Sequence, residues 1–235
     1  EALAGAAVNT IENYKPQDLS LMAWSVAKLP LCHNPLLAAL ASQSLQRLHL
    51  FGTQDLANTA WSCARLQIRD APLMEAISAP ALNTIGQFAP QKISNTSWAF
   101  AMLEIADQKL FDAMATVAIN KLHLFSAQDK SNTVWAFARC ELCHPPLMKA
   151  MAEESLIRLP EYSQQHLSNI AWSFAKLNVE HGPLLAAISD AVLTKIHDLQ
   201  PQTLSSIAWS LARQGSRNMQ LLEAIADAAI IQSHA

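Results

Sequence analysis

The chain has 235 residues, of which 51% are hydrophobic and 15% are charged, and this composition excludes an intrinsically disordered chain. Its formal net charge of −3 excludes a protein that is basic over its whole surface and contacts phosphates everywhere. Four cysteines in this length do not suggest a disulfide-dense secreted domain and favour a reducing compartment.

A strict repeat runs through the sequence. The six tryptophans are each 37 residues apart, and a glutamine precedes each of them by seven residues. Five equal intervals without an insertion indicate tandem repeats, so equivalent positions can be compared between copies. The two sets are Trp24, Trp61, Trp98, Trp135, Trp172 and Trp209, and Gln17, Gln54, Gln91, Gln128, Gln165 and Gln202.

The predicted elements follow this register. Residues 1–15 are predicted to be the second helix of a partial repeat, because their apolar residues match those of the corresponding helix in the next copy. Six helical hairpins are predicted to follow within 16–235, at 16–52, 53–89, 90–126, 127–163, 164–200 and 201–235. The array is expected to continue beyond this sequence in at least one direction.

The fifth copy illustrates one hairpin. Leu167, Ile170 and Phe174 have helical spacing and predict a first helix with one buried face. A short polar break leads to Pro183, which is well placed in the first turn of a second helix. A single hairpin cannot bury both apolar faces, so neighbouring copies must stack. The expected fold is all-α: one continuous α-solenoid domain with a period of 37 residues.

Polar residues recur on one face of each first helix, and we expect equivalent residues to form rows. The leading row holds Asp18, Asp55, Lys92, Asp129, His166 and Thr203. The second row holds Asn58, Asn95, Asn132, Asn169 and Ser206, and the third holds Lys28, Arg65, Arg139, Lys176 and Arg213. A further basic row lies near the end of the second helices, at Arg47, Lys121, Arg158 and Lys195.

These rows allow two interpretations. Helical repeats can read about one base of single-stranded RNA per copy, while lysine and arginine contact phosphates, so the first three rows are candidate RNA-binding residues. Alternatively, the basic residues only oppose the helix dipole and the asparagines form a solvated face. We expect the tryptophans to pack in the core, since the alanines around them leave room for a large ring, and the glutamines to bond free backbone groups at the helix start.

Two metal-binding motifs are considered and rejected. Cys140 to His144 match the haem-attachment pattern C-x-x-C-H, but Cys140 occupies a core position, and His144 occupies a position that caps the second helix. A zinc site from Cys32, His33, Cys143 and His144 would join parts three repeats apart. We find no phosphate loop or nucleophile motif, and we expect no cofactor, no metal, no small-molecule substrate and no catalysis.

The repeated phrase resembles the octotricopeptide and heptatricopeptide repeat families. It stands as PQDLSLMAWSVAKL, TQDLANTAWSCARL, PQKISNTSWAFAML, AQDKSNTVWAFARC, QQHLSNIAWSFAKL and PQTLSSIAWSLARQ, and its length is closer to the heptatricopeptide type. The resemblance implies an organellar protein of a mitochondrion or plastid that binds RNA for its processing, stability, translation or ribosome assembly.

The predicted function is therefore a non-catalytic organellar RNA-binding repeat protein that faces about six nucleotides, one per copy. Expected partners are single-stranded or ribosomal RNA and other proteins of a ribonucleoprotein assembly. The alternative is a protein-binding scaffold or a structural subunit of a large organellar complex. No run approaches the ~18 apolar residues of a membrane span, and no targeting segment is visible.

Overall fold

The computed structural model describes residues 2–29, 33–216 and 218–233, and every regular element in these ranges is helical, which confirms the all-α class. Six first helices are α2 (Pro16–Lys28), α4 (Thr53–Arg65), α6 (Pro90–Met102), α8 (Ala127–Arg139), α10 (Gln164–Lys176) and α12 (Pro201–Arg213). The other seven are α1 (Ala2–Thr10), α3 (Asn34–Arg47), α5 (Ala71–Thr84), α7 (Gln108–Asn120), α9 (Pro145–Ile157), α11 (Gly182–Leu193) and α13 (Met219–Ser233).

The helices keep a constant register along the described chain. Each first helix has 13 residues and begins 37 residues after the one before it. One turn of 3-10 helix precedes each first helix, at Ile11–Asn13, Leu48–Leu50, Ile85–Gln87, Leu122–Leu124, Leu159–Glu161 and Ile196–Asp198. The boundaries predicted for the hairpins fall between these turns and the first helices.

The chain divides into two compact units, residues 1–117 and 118–235. In the first unit, α4 packs between α2 and α6, while α3 packs between α1 and α5. In the second unit, α10 packs between α8 and α12, while α11 packs between α9 and α13. Each unit is thus a layer of first helices on a layer of second helices, as expected of stacked hairpins. That the two units form one continuous domain stays a prediction.

The core of each unit lies between its two layers. A large side chain at the end of each 3-10 turn is buried there in five copies: Phe51, Phe88, Phe125, Tyr162 and Leu199. The first helices contribute Phe100, Phe137 and Phe174 at equivalent positions. These repeated anchors remove apolar area from water at the same place in successive copies, which fixes the register of one hairpin on the next.

The starts of the second helices are capped as predicted. In each of the six copies a side chain accepts a hydrogen bond from the backbone N–H three residues later, at 3.0–3.2 Å. The cap satisfies one of the helix's free N–H groups and is worth about 1 kcal/mol. The capping residues are His33, Asp70, Asp107, His144, His181 and Asn218.

Left-handed residues end the first helices from the second copy onward. They have φ between 53° and 63° and are Gln67, Glu104, Glu141, Asn178 and Gly215. The N–H of the residue after each one donates to a carbonyl five residues earlier at 2.9 Å. This is the Schellman ending, which turns the chain sharply toward the second helix.

No helix within residues 2–29, 33–216 and 218–233 is long and apolar enough to cross a bilayer.

Candidate functional site

The tryptophans lie at the surface, and the prediction that they pack in the core is wrong. Trp24 is 37% exposed, Trp209 is 40% exposed, and the four between them are half-buried. The neighbouring alanines, such as Ala60 and Ala64, are fully buried in the contact between first helices. Because these small residues let the helix backbones approach closely, the room expected for the rings is taken up by helix–helix contact.

Neighbouring tryptophan rings lie beside one another, tilted by about a third of a right angle, within each unit. In the first unit the ring centroids of Trp61 and Trp98 are 6.4 Å apart. In the second unit Trp172 lies 6.5 Å from Trp135 and 6.3 Å from Trp209. The interplanar angles are 30–32°. These separations are typical of offset aromatic pairs, and they leave indole faces and edges open to solvent.

A polar groove runs across the first helices of the first unit. Its volume is about 550 Å³, and residues of α2, α4 and α6 line it. The lining consists of amides, one indole and few other groups, and its one charged residue is Asp55. We call it the first groove; its lining residues are Gln17, Ser20, Leu21, Trp24, Gln54, Asp55, Asn58, Gln91 and Asn95.

A matching groove lies on the second unit. It has a volume of about 440 Å³, and none of its lining residues carries a charge. We call it the second groove; its lining residues are Trp135, Gln164, Gln165, Ser168, Asn169, Trp172, Gln200, Gln202, Thr203 and Ser206. Both grooves thus bring together glutamines, members of the asparagine row and at least one tryptophan. The sequence-based candidates included the asparagine row and the leading-row residues Asp55 and Thr203 of these linings, but not the glutamines or the tryptophans.

In four copies the side chain of the leading row caps the start of its first helix. Asp18 accepts from the backbone N–H of Lys15 at 2.9 Å, and Asp55 accepts from that of Gly52 at 3.0 Å. Asp129 and His166 make the equivalent bonds. The other oxygen of Asp55 accepts from the hydroxyl of Ser20 at 2.7 Å. These side chains stabilise the starts of the first helices, and the helix dipole partly compensates the charge of the three aspartates.

The same bonds correct the role expected of the glutamines. The residue that follows each glutamine bonds the backbone at the helix start in those four copies, whereas the six glutamines are exposed. Gln54 donates from Nε2 to Oδ1 of Asn58 at 2.7 Å. The two amides therefore form one polar patch that still offers donors and acceptors to the groove. In the leading row, Lys92 donates to the hydroxyl of Thr53 at 3.3 Å, and Thr203 lines the second groove.

The asparagine row is accessible in both units. Asn58 and Asn95 line the first groove, Asn169 and Ser206 line the second, and Asn132 is half-buried on α8. One turn further along, serines of α4, α10 and α12 donate to carbonyls four residues earlier at 2.6–2.7 Å and are buried. Those hydroxyls are satisfied within the helix, so the amides are the groups that face a ligand.

The third row places cations beside the tryptophans. Nζ of Lys28 lies 5.3 Å from the ring centroids of both Trp24 and Trp61. Arg213 lies 5.4 Å from Trp209 and donates to the carbonyl of Ala175 at 2.9 Å. Cation–π contacts at such distances orient the charge over the ring face.

The remaining members of this row are also at the surface. Arg65 and Arg139 are exposed, and Nζ of Lys176 donates to Oε1 of Glu141 at 2.6 Å. This pair lowers the pKa of Glu141 through the hydrogen bond and the charge of Lys176. One cation of the second unit is thus already paired with a carboxylate.

Two arginines of the further basic row, near the ends of the second helices, bond to other groups of the chain. Arg47 donates to the carbonyl oxygens of Tyr14 and Glu12, which joins α3 to the turn before α2. Arg158 donates to Glu161 at 2.8 Å and has its pKa raised by that bond. Neither arginine lines a groove.

A buried charge lies in the core of the second unit. Lys130 is 1% exposed and stands where the other five copies have leucine or isoleucine. Its Nζ lies 3.2 Å from Oε1 of Glu154 on α9. Burial lowers the pKa of Lys130, and the bond to Glu154 opposes that shift. Sequence analysis missed this residue, although its register against the core positions of the other copies could have revealed it.

His166 is the one titratable member of the candidate rows whose pKa burial lowers. Its ring meets that of Tyr162 edge to face, with centroids 6.2 Å apart. Burial also raises the pKa of Tyr162 to about 12, while its hydroxyl is 2.9 Å from that of Ser155. This cluster packs α10 on the turn before it and lies outside the second groove's lining.

No cluster of three or more metal-binding side chains occurs in the described ranges of the chain. Of the four residues weighed for zinc, Cys32 lies outside the described residues. His33 and His144 cap second helices instead. In the haem-like motif Cys143 is exposed, whereas burial raises the pKa of Cys140 to about 11.

The two grooves share one chemistry: neutral amides that donate and accept, aromatic edges and faces beside them, and cations at the ends of the same helices. Amides complement the edges of unpaired bases, indoles stack on their faces, and lysine and arginine contact phosphates. The arrangement contains no set of nucleophile, base and acid among the lining residues.

Comparison with known proteins gives one family. Residues 70–219, which are 150 of the 235 residues, match the family described as RNA-editing substrate-binding complex 6 protein. A search of curated proteins found no match. The family match does not single out the octotricopeptide or heptatricopeptide type, so that finer assignment stays a resemblance. Since the match covers more than half of the chain, the chain belongs to the family of RNA-editing substrate-binding complex 6 proteins.

Proposed function

We propose that the chain is a non-catalytic subunit of an RNA-editing complex and holds single-stranded RNA against its first helices. The observation that carries this proposal is the pair of grooves, in which amides and indoles converge and free charge is nearly absent. The name of the family, which refers to substrate binding in RNA editing, is consistent with such a role.

The bound strand would have its bases in the grooves and its phosphates toward the basic row. All six first helices have the glutamine in their first turn, α4, α6, α8 and α10 add the asparagine in the second turn, and every first helix except α6 has a cation in its last turn. Because these helices run side by side within a unit, the two kinds of contact form parallel tracks. A single strand has unstacked bases that can turn inward while the backbone stays at the cations.

The architecture we propose is an α-solenoid of 37-residue repeats across both units, similar to the octotricopeptide and heptatricopeptide types. The equal spacing of the first helices supports it. We also propose a mitochondrial location, which the resemblance to the octotricopeptide and heptatricopeptide families implies and with which a family named for RNA editing is consistent. A plastid receives no support from the family match.

Charge reversal in the basic row tests RNA binding. We expect the triple variant Arg65→Glu, Arg139→Glu and Lys176→Glu to bind an unstructured single strand at least tenfold more weakly near 0.1 M salt. The plot of log affinity against log salt should also become shallower by about two, since three phosphate contacts on a single strand account for roughly 0.7 each. Fluorescence anisotropy of a labelled strand over a salt series measures both.

The matched control reverses three cations away from the grooves, at Arg69, Lys109 and Lys149, which are all exposed. It has the same net charge as the test variant. If the control loses as much affinity as the test variant, only the overall charge matters and the proposed track is refuted.

A protein-binding role on another surface is the second candidate. Leu50 is 59% exposed in the first unit, and Leu124 and Ile157 are 60% and 76% exposed in the second. These residues lie in or beside the 3-10 turns and the second helices. Exposed large apolar side chains favour contact with a partner. Capture of partner proteins that survives nuclease treatment and is lost in Leu124→Ser with Ile157→Ser would support this role.

A further inference from the structure

We propose that the grooves select a tract of like bases rather than a mixed sequence. This inference rests on the proposed function, since it concerns which single strands the grooves hold. It is carried by the repetition of one set of side chains, at one register and with one geometry, in successive first helices.

The first unit contains two such sets. On α4 the set is Gln54, Asn58 and Trp61, and on α6 it is the glutamine, asparagine and tryptophan found 37 residues later. Both asparagines and both glutamines line the first groove. The two indoles lie 6.4 Å apart with a 30° angle between their planes. The two sets therefore place the same groups at equivalent positions of adjacent helices.

The second unit repeats the arrangement independently. Gln165, Asn169 and Trp172 on α10 form the same set, and the asparagine and glutamine line the second groove. The ring separation from α8 to α10 is 6.5 Å with a 32° angle, which differs by only 0.1 Å and 2° from the pair in the first unit. Four consecutive copies, the second to the fifth, carry identical residues at all three positions.

Identical subsites have identical preferences. Repeat proteins that read mixed sequences do so by changing the two or three reading side chains from copy to copy. Here the reading pair stays glutamine and asparagine. The leading-row residue beside it changes from Asp55 to Lys92, but both are held by bonds within the protein, to Gly52 and Ser20 and to Thr53. Whichever base suits the amide pair of one copy therefore suits that of the next. The preference is summed along the strand and is largest when neighbouring bases are the same.

The first and sixth copies lack the asparagine that the four copies between them share. The position of the asparagine is Leu21 in the first copy and Ser206 in the sixth. Leu21 is 53% exposed and has no polar atom with which to read a base edge. Stacking on tryptophan alone is tolerant of sequence, so the amide pair determines selectivity and the outer copies contribute less of it.

Direct binding measurements separate this inference from the proposed function. The affinities of twelve-nucleotide homopolymers of A, of C and of U are compared with those of twelve-nucleotide strands in which the same three bases are shuffled, all at one ionic strength. We expect the best homopolymer to bind at least fivefold more tightly than every shuffled strand. A smaller ratio overturns the preference for like bases while leaving RNA binding intact. Failure of all strands to bind overturns the proposed function, and this inference with it.

Exchange of the amides for acids tests the residues themselves. Asn58→Asp with Asn95→Asp turns two donor–acceptor groups into groups that only accept, which suit the adjacent donors of guanine. We expect the variant to bind the best homopolymer at least threefold more weakly, and to prefer strands with guanine at neighbouring positions over that homopolymer. The control is Asn83→Asp with Asn120→Asp, which changes exposed amides outside the first groove by the same charge. An unchanged ranking of strands in the test variant overturns the assignment.

Discussion

Lys130 is a charged residue at a core position of the repeat, and its helix α8 nevertheless keeps the length and register of the other first helices. The other five copies have Leu19, Leu56, Ile93, Leu167 and Leu204 at this position, and all five are buried. The lysine keeps its charge in the core through Glu154, whose side chain is 24% exposed and so retains part of its hydration. A buried ion pair of this kind gains little over an apolar contact, because desolvation offsets the attraction.

Replacement of both members of the pair by apolar residues should therefore stabilise the protein. We expect Lys130→Leu with Glu154→Ala, which has the residue that the fifth and sixth copies carry at the position of Glu154, to raise the free energy of unfolding by about 1–3 kcal/mol. Lys130→Ala should lower it by about 2 kcal/mol or more, since it leaves a cavity. Urea denaturation at neutral pH measures both changes. A double variant that is less stable than the parent would show that the ion pair contributes net stability.

The pH dependence gives an independent check of Lys130. Its pKa is lowered in the folded state, so the unfolded chain holds the proton more tightly. The folded state of the parent therefore gains stability as pH rises from the lowered pKa toward 10.5, the ordinary value. The advantage of the double variant over the parent should shrink over that range.

Asp18, Asp55 and Asp129 show what residue patterns can and cannot reveal. Their place in the leading row was predicted and their contact with RNA stays a prediction, but sequence patterns did not reveal that they cap the first helices. The position three residues into a helix suits both roles, and the two become distinguishable only when the direction of the carboxylate is known. His144 was predicted as a cap correctly, because its repeat position holds histidine, aspartate or asparagine in every copy.

At the scale of the helix, the left-handed endings are the feature that sequence analysis missed. The residues with φ near +60° are glutamine, glutamate, asparagine and glycine in different copies, so no glycine column marked the site. Tertiary packing holds the side-chain-bearing residues there at a local cost of about 1 kcal/mol each. The bond that follows each one, at 2.9 Å, offsets part of that cost.

Since four of the left-handed residues carry a side chain and the fifth is glycine, a change to glycine and a change from glycine should have opposite effects on stability. Gln67→Gly should raise the free energy of unfolding by about 0.5–1 kcal/mol, because glycine adopts the left-handed conformation without strain. Gly215→Ala should lower it by about 1 kcal/mol for the same reason, and open space around Gly215 excludes a clash as the cause. Thermal unfolding of the two variants tests the pair, and shifts in the same direction would contradict the explanation.

At the scale of the molecule, the repeat period predicted the location of nearly every described helix. A constant spacing places each start, cap and core residue once a single copy has been interpreted, and the 13-residue first helices follow it without exception. The burial of the tryptophans could not be obtained in this way. It depends on how closely two helix axes approach, and buried alanines are compatible both with a ring between the helices and with direct contact between them.

The stacked indoles give the protein a built-in optical reporter. All six tryptophans occupy one position of the repeat, and the two tyrosines lie elsewhere, so selectively excited emission comes from the groove face alone. We expect a single strand that enters the grooves to quench this emission in a saturable titration, whereas a protein partner bound at Leu124 and Ile157 should leave it nearly unchanged. The spectrum of the unlabelled chain can thus distinguish the two classes of ligand, and a saturating RNA titration without quenching would place the RNA on a different surface.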